Sequence, residues 1–250
     1  MERERELSRG SGLRVARRPL FGLVAGLGVA ALARAQGMNQ GKSQGMDPGM
    51  NDAPEPFDLD AFLAEAIPLA KDLVGDTSRA GQDRYLHALA SLAACLGDVP
   101  VPEMRENTNQ SSPAKTFIGA NECDAPFTVL HWRMEPLARI GLHPHIYGNV
   151  VTLCLEGEVR IENYEMVRER DFDAREPFPV RRTNDQVLEK GGLNLVSLEH
   201  GYVHGFEAGP AGARGLDITT RIRERRETPS LVVGQALEAE RRIFEGRWVR

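Results

Sequence analysis

The sequence has few cysteines, few aromatic residues and no long apolar run. Its three cysteines, Cys95, Cys123 and Cys154, include no CxxC pair, so they indicate neither a disulfide framework nor a zinc knuckle. Aromatic residues make up 6% of the chain, whereas glycine (25 residues) and proline (15 residues) are plentiful. Many turn-forming residues outside the helical patterns favour a turn-rich β fold.

Most of the chain also lacks an excess of positive charge. The first 36 residues contain seven Arg and three Glu, while the whole chain of 250 residues has a formal net charge of −5. The part after residue 36 is therefore strongly acidic. Because a phosphate-binding face needs clustered Lys and Arg, we expect no nucleic-acid partner.

The apolar run at residues 20–33 is too short for an ordinary membrane-spanning helix. It follows Arg17-Arg18 and precedes Ala33-Arg34-Ala35, the order of a charged region, an apolar region and a cleavage site. We therefore interpret residues 1–35 as an export signal that resembles the twin-arginine type, and expect a periplasmic protein without membrane insertion after cleavage. The alternative is an uncleaved N-terminal segment that anchors the protein to the membrane.

The next part of the chain changes from a linker to helices. Residues 36–56 are rich in Gly, Asn, Gln and Pro without apolar periodicity, which indicates a flexible linker. Residues 57–98 contain two helical patterns, the first capped by Asp58 or Asp60 and stopped by Gly75. This part is predicted to be an N-terminal helical segment.

Residues 99–250 contain short β-like runs separated by turn signals. Examples are residues 127–134, 149–166, 194–200 and 213–222, a spacing typical of a β-sandwich or barrel. The tail at 236–249 is predicted to form a short C-terminal helix. No pattern here specifies an oligomeric state.

Two histidine-containing segments carry the most specific chemical signal. His143 and His145 are separated by one residue, so on a strand both imidazoles point to the same face and can reach one ion. His204 follows a turn at Gly201 and opens another strand. Imidazole suits iron, zinc, copper and nickel, so these three histidines are candidate metal ligands.

With these segments the sequence resembles the cupin superfamily over roughly residues 127–222. His143, His145 and Gly157 match the usual first motif, and Gly201 and His204 match the second. The metal-binding glutamate of that first motif is missing, since Asn149 and Val150 occupy its two possible places. The resemblance implies a mainly β double-stranded β-helix, or jelly-roll, barrel.

Without the glutamate, the sequence is most similar to the thiol dioxygenases, in the branch with plant cysteine oxidases and aminoethanethiol dioxygenase. Leu142, Gly148, Phe206 and the run Leu216-Asp217-Ile218 follow that pattern, although Thr219-Thr220-Arg221 stands where a Pro-Pro-Tyr element is usual. The resemblance implies Fe(II) held by three histidines. It also implies a reaction of O₂ with a small or N-terminal thiol that gives a sulfinic acid.

Four further residues are candidates for roles in this chemistry. Tyr147 is a candidate for a hydrogen bond to bound oxygen, and the resemblance assigns a catalytic role to Asp217. Arg133 and Arg139 are candidates to bind a substrate carboxylate, because a guanidinium matches it bidentately. His200 is expected outside the ligand set.

Two alternatives from other classes stay open at this stage. One is a non-catalytic cupin that binds a metal or small ligand, and the other is a cupin enzyme of different chemistry, such as an isomerase. The missing glutamate favours the thiol dioxygenase.

Overall fold

The computed structural model describes residues 56–107, 112–121, 123–224 and 227–250. The predicted export signal at 1–35 lies outside the described residues, as does all of the predicted linker except residue 56. The described chain is mainly β, with two helices that precede ten strands.

The two predicted helices are confirmed. Helix α1 spans Leu59–Gly75 and begins at Asp58, whose carboxylate accepts a hydrogen bond from the Ala61 N–H at 2.8 Å and so caps the first turn. Helix α2 spans Arg79–Ala93 and is capped in the same way by Ser78. Within the described residues, neither helix is long and apolar enough to cross a membrane.

Ten strands form one continuous hydrogen-bonded system. Two of them, β5 and β8, have 19 residues each and pair with each other along most of their length. The strands are β1 Arg105–Glu106, β2 Thr116–Asn121, β3 Phe127–Met134, β4 Arg139–Pro144, β5 Gly148–Met166, β6 Phe178–Glu189, β7 Leu193–Val196, β8 Val203–Arg221, β9 Ser230–Glu238 and β10 Ile243–Val249.

The long strands β5 and β8 take part in two sheets. One end of their ribbon pairs with β3 on one side and β7 on the other, and we call this the helix-side sheet. The other end pairs with β4 and β6, and we call this the hairpin-side sheet. Two sheets that share a ribbon and face each other form a double-stranded β-helix, so the predicted cupin-like barrel is confirmed.

Each sheet has its own apolar cover. The helices pack on the outer face of the helix-side sheet, where Phe62 and Leu89 meet Val151 and Ile218. The hairpin of β9 and β10 continues the hairpin-side sheet, since β9 pairs with β4 and β10 with β6, and it closes over an apolar cluster on that sheet's outer face. A third cluster, which includes Trp132 and Phe206, fills the barrel interior. The barrel is therefore a packed core at this level and not an open channel.

The prediction of a C-terminal helix was wrong. Residues 230–249 form the hairpin of β9 and β10, with a turn in which Arg242 has a positive φ of 53°. The run of Ala, Leu, Glu and Arg at 236–242 has helical propensity. The structure places Leu231 and Trp248 against the hairpin-side sheet, and strand geometry brings both to that face.

Candidate metal centre

The three predicted ligand histidines lie together on the inward face of the hairpin-side sheet. His143 on β4 pairs directly with His204 on β8, so their side chains share one face. His145 lies just beyond β4, where its backbone N–H donates to the carbonyl of Tyr202 at 2.7 Å and continues the ladder. Gly201, with a φ of +56°, makes the predicted turn before His204.

The ring nitrogens of these histidines converge. Nε2 of His145 is 3.2 Å from Nε2 of His143 and 2.8 Å from Nε2 of His204. Three imidazole nitrogens that each bind one ion at about 2.1 Å, at right angles, lie about 3.0 Å from one another. The two separations that involve His145 are close to this value, and the ligand atoms of all three histidines lie within 4.8 Å of one another, so the group could hold a metal ion.

The protonation pattern of the group also suits an ion. Nδ1 of His143 lies 2.9 Å from the carbonyl oxygen of Gly141, which can only accept, so Nδ1 carries the proton and Nε2 presents its lone pair. Burial lowers the pKa of His143, and it lowers the pKa values of His145 and His204 further. The three rings are therefore neutral at physiological pH and available as ligands.

Apolar side chains surround the ligand group on the interior side. The Phe206 ring lies 4.7 Å from His204 and 5.6 Å from Trp132, measured between ring centroids. Both aromatic residues are nearly inaccessible to solvent. The site therefore has a dry floor, and access to it is from the side of His143, which is partly exposed.

The structure decides which residue stands at the inward position where a glutamate ligand is usual. Asn149 is turned towards the helix side, where its Oδ1 accepts a hydrogen bond from the Leu198 N–H at 3.0 Å. Its neighbour Val150 lies on the opposite face of β5, pairs with Thr219 and is fully buried. The inward position is thus apolar.

Tyr147 lies at the edge of the site. Its ring centroid is 5.9 Å from that of His145, and its backbone carbonyl accepts hydrogen bonds from the N–H groups of Ile222 and Arg223. These bonds fix the turn between β4 and β5. The ring is therefore next to the ligand group, as its predicted role requires, and that role stays a prediction.

Asp217 lies inside the barrel on the helix-side sheet. Its carboxylate accepts a hydrogen bond from the Thr152 hydroxyl at 2.7 Å, and its surroundings include Trp132. Burial raises the pKa of Asp217 to about 6, although Thr152 and the Trp132 indole offset part of this effect. Trp132 and Phe206 lie between Asp217 and the histidines. The catalytic role of Asp217 stays a prediction.

Replacing Asp217 by asparagine should make stability less dependent on pH. The raised pKa means that the folded wild type holds a proton that the unfolded chain releases, so its stability is full below about pH 4 and declines up to about pH 6. The asparagine variant cannot titrate at this position, so its stability does not show this decline. Its free energy of unfolding, relative to wild type, should rise by about 2 kcal/mol between pH 4.5 and 7.5 in urea titrations. An equal difference at both pH values would contradict the buried titration.

The structure does not bring the two predicted carboxylate-binding arginines to the ligand group. Arg133 is exposed and stacks over the ring of Phe117, with its guanidinium carbon 4.6 Å from the centroid. Arg139 is exposed and forms an ion pair with Glu207 at 2.9 Å. Both alternate with inward-facing neighbours on their strands, so both side chains point to the outside of the barrel.

The remaining histidines of this region are separate from the site. His200 is half-buried, with Nδ1 at 3.0 Å from the Ser197 hydroxyl and 3.6 Å from the Asp83 carboxylate. It is not in the ligand group, as expected. His131 is buried on the outer face of the helix-side sheet, opposite Leu216.

Sequence reasoning missed the polar residues beside His204. Asn163 on β5 pairs with His204, and Asn184 on β6 pairs with Asn163, so both share the inward face of the histidines. A signal for this was available, because Val159 and Ile161 give the inward period of β5 and Asn163 interrupts it. A buried asparagine at such a position needs partners and often has a specific role.

Comparisons with known proteins identify no family for this chain. No protein-family model matches the sequence, and no curated protein matches it. The structure is similar to KdgF from Halomonas sp. (13% identity, 49% of this chain and 88% of that one, TM-score 0.35). It is also similar to the cupin domain of Schizosaccharomyces pombe Cnp3 (13% identity, 46% and 69%, TM-score 0.32). A third similar structure is that of the coconut allergen cocosin (17% identity, TM-score 0.33). The match covers 46% of this chain and 27% of cocosin.

The strand order and the site together define the class. The chain is a cupin-like double-stranded β-helix with a candidate three-histidine metal centre inside the barrel.

Proposed function

We propose that the protein is a non-haem Fe(II) thiol dioxygenase that converts a small or N-terminal thiol to a sulfinic acid. The observation that carries this proposal is the convergence of three neutral imidazoles, with Val150 at the inward position where a carboxylate ligand would stand. A ligand set of this kind leaves the full charge of a divalent ion to attract an anionic thiolate. Both oxygen atoms of O₂ enter the product, so no external reductant is needed.

The side chains of the chain have separate parts in this proposal. His143, His145 and His204 would hold ferrous iron, which when bound supplies the open positions at which a thiol and O₂ meet. Phe206 and Trp132 exclude water from the interior side. Tyr147, whose ring lies beside that of His145, would donate a hydrogen bond to an oxygen atom of the reacting species.

The outward direction of Arg133 and Arg139 bears on the substrate. Neither guanidinium has its contacts in the barrel, so a free carboxylate on the thiol has no partner in either of them. We therefore expect thiols without a nearby carboxylate, such as cysteamine, to be better substrates than cysteine or 3-mercaptopropionate.

Oxygen uptake by iron-loaded protein tests the proposal. Protein purified without air and reconstituted with Fe(II) is supplied with cysteine, cysteamine and 3-mercaptopropionate, and thiol-dependent O₂ consumption is recorded. Mass spectrometry should find a product with two added oxygen atoms, both from ¹⁸O₂. Zinc-loaded protein is the matched control and should be inactive. Stoichiometric iron without uptake on a broad thiol panel would refute the proposal and favour a non-catalytic metal-binding cupin.

A further inference from the structure

A row of side chains crosses the inward face of the hairpin-side sheet. It runs from His143 on β4 through His204 on β8 and Asn163 on β5 to Asn184 on β6, each residue paired with the next. Because neighbouring strands lie about 4.8 Å apart, Asn163 stands one strand spacing from His204 and Asn184 stands two. The row thus continues from the candidate metal ligands into a set of uncharged amides.

The buried end of this set is fixed by hydrogen bonds. Asn163 and Asn194 form a reciprocal amide pair, with N···O distances of 3.2 and 2.8 Å, and both are almost inaccessible to solvent. Asn163 also accepts from Asn184 at 3.2 Å and donates to the carbonyl of Gly201 at 3.3 Å. All four hydrogen-bonding positions of its amide are therefore occupied, which gives a rigid floor.

The open end of the set is a cleft of about 240 Å³ between β6 and β7. Asn184 and Gln186 lie on its β6 side and Asn194 on its β7 side. Gln186 donates to the carbonyl of Leu193 at 3.2 Å, and the hydrogen bonds of the described residues use neither its Oε1 nor Oδ1 of Asn184. Donors and acceptors thus remain available to a ligand.

We propose that this cleft binds an uncharged ligand group that both donates and accepts hydrogen bonds, namely a carboxamide or a hydroxyl. Of the described residues that line the cleft, none carries a charge. A carboxylate there would meet the carbonyl oxygens of Asn184 and Gln186 without a cation to neutralise it, and an ammonium would lack a carboxylate. Amide side chains match a neutral group with both functions.

This inference goes beyond the proposed function, because none of the three candidate ligand histidines lines the cleft. It does not depend on thiol oxidation, because the ligand class follows from the lining alone. The binding measurement below needs neither turnover nor a bound metal, so failure of one proposal is distinguishable from failure of the other.

The test is an NMR titration of the full ¹⁵N-labelled chain without oxygen. The probes are 3-mercaptopropionamide, 1-thioglycerol and 3-mercaptopropionate, which share a thiol and differ in the amide, hydroxyl or carboxylate that they present. We expect the amide probe, the hydroxyl probe or both to shift the side-chain NH₂ signals of Asn184 and Gln186. The Kd should be about tenfold or more below that of the carboxylate probe.

Two variants and one control assign the effect to the cleft. Asn184→Ala and Gln186→Ala alter partly exposed lining residues and should remove the preference for the neutral probes. Gln235→Ala makes the same change at an exposed position on β9, which does not line the cleft, and should leave the titration unchanged. Equal binding of the carboxylate probe, no shift with any probe, or undiminished binding in both cleft variants would each overturn the proposal.

Discussion

Replacement of His204 by alanine should reduce metal affinity by more than about 100-fold, because losing a residue that only orients a metal ligand already costs up to about that much. His204 supplies one of three converging Nε2 atoms, and its nitrogen lies 2.8 Å from that of His145. His204 is fully buried, and the described group contains only His143 and His145 besides it, so no further histidine of the group could take its place as a ligand. Titration with Co(II), followed by its visible absorption, and metal analysis after dialysis measure the loss.

His200→Ala is the matched control for this experiment. It makes the same substitution four residues earlier, at a half-buried histidine that contacts Ser197 and Asp83. We expect it to retain wild-type metal affinity. If His200→Ala lost the ion while His204→Ala kept it, the ligand assignment would be wrong.

Val150→Glu should preserve or tighten metal binding while it lowers thiol oxidation by about tenfold or more. Val150 occupies the inward position on β5 that faces the barrel interior, so the new carboxylate could reach the ion as a fourth ligand. An anionic oxygen would occupy an open position and cancel part of the charge that stabilises the thiolate. Metal content and thiol-dependent O₂ uptake, measured on the same preparations, separate the two effects.

Val150→Gln controls for the bulk and polarity of this substitution. Its side chain has the size of glutamate without the charge, so any cost of crowding the buried position is shared by both variants. We expect glutamine to reduce oxidation less than glutamate does. Undiminished activity of Val150→Glu with its metal bound would defeat the argument from the missing ligand, whereas equal losses in the two variants would indicate crowding.

Local sequence patterns were sufficient for much of the fold. The helices of residues 59–93 follow from their apolar spacing and from Asp58 as a cap, and strand β3 coincides with the predicted run 127–134. The C-terminal hairpin did not follow, because its local residues favour a helix. In the folded chain β9 pairs with β4 and β10 with β6, and the hairpin covers an apolar face of the hairpin-side sheet. Neither those strand edges nor that face exists until the barrel has formed.

The candidate site was predictable in its ligands but not in its surroundings. The spacing of His143 and His145 placed both rings on one face, and the similarity to cupin motifs supplied His204. For the arginines, residue type alone suggested a carboxylate partner, yet Arg133 and Arg139 point outward. The direction of a side chain on a strand depends on register, and register is fixed by pairing with distant strands.

By itself, the sequence determined a turn-rich β domain, two capped helices and three histidines with the spacing and chemistry of metal ligands. Only the tertiary structure decided that the three histidine side chains point to the same side of the sheet. Between Ile140 and His143, strand β4 has one more residue than β8 does in the matching interval, and this bulge is what turns His143 inward to meet His204. The pairing of β5 with β8 and with β6 aligned Asn163 and Asn184 with His204. Such an alignment joins residues that are far apart in the chain, so no local sequence pattern encodes it.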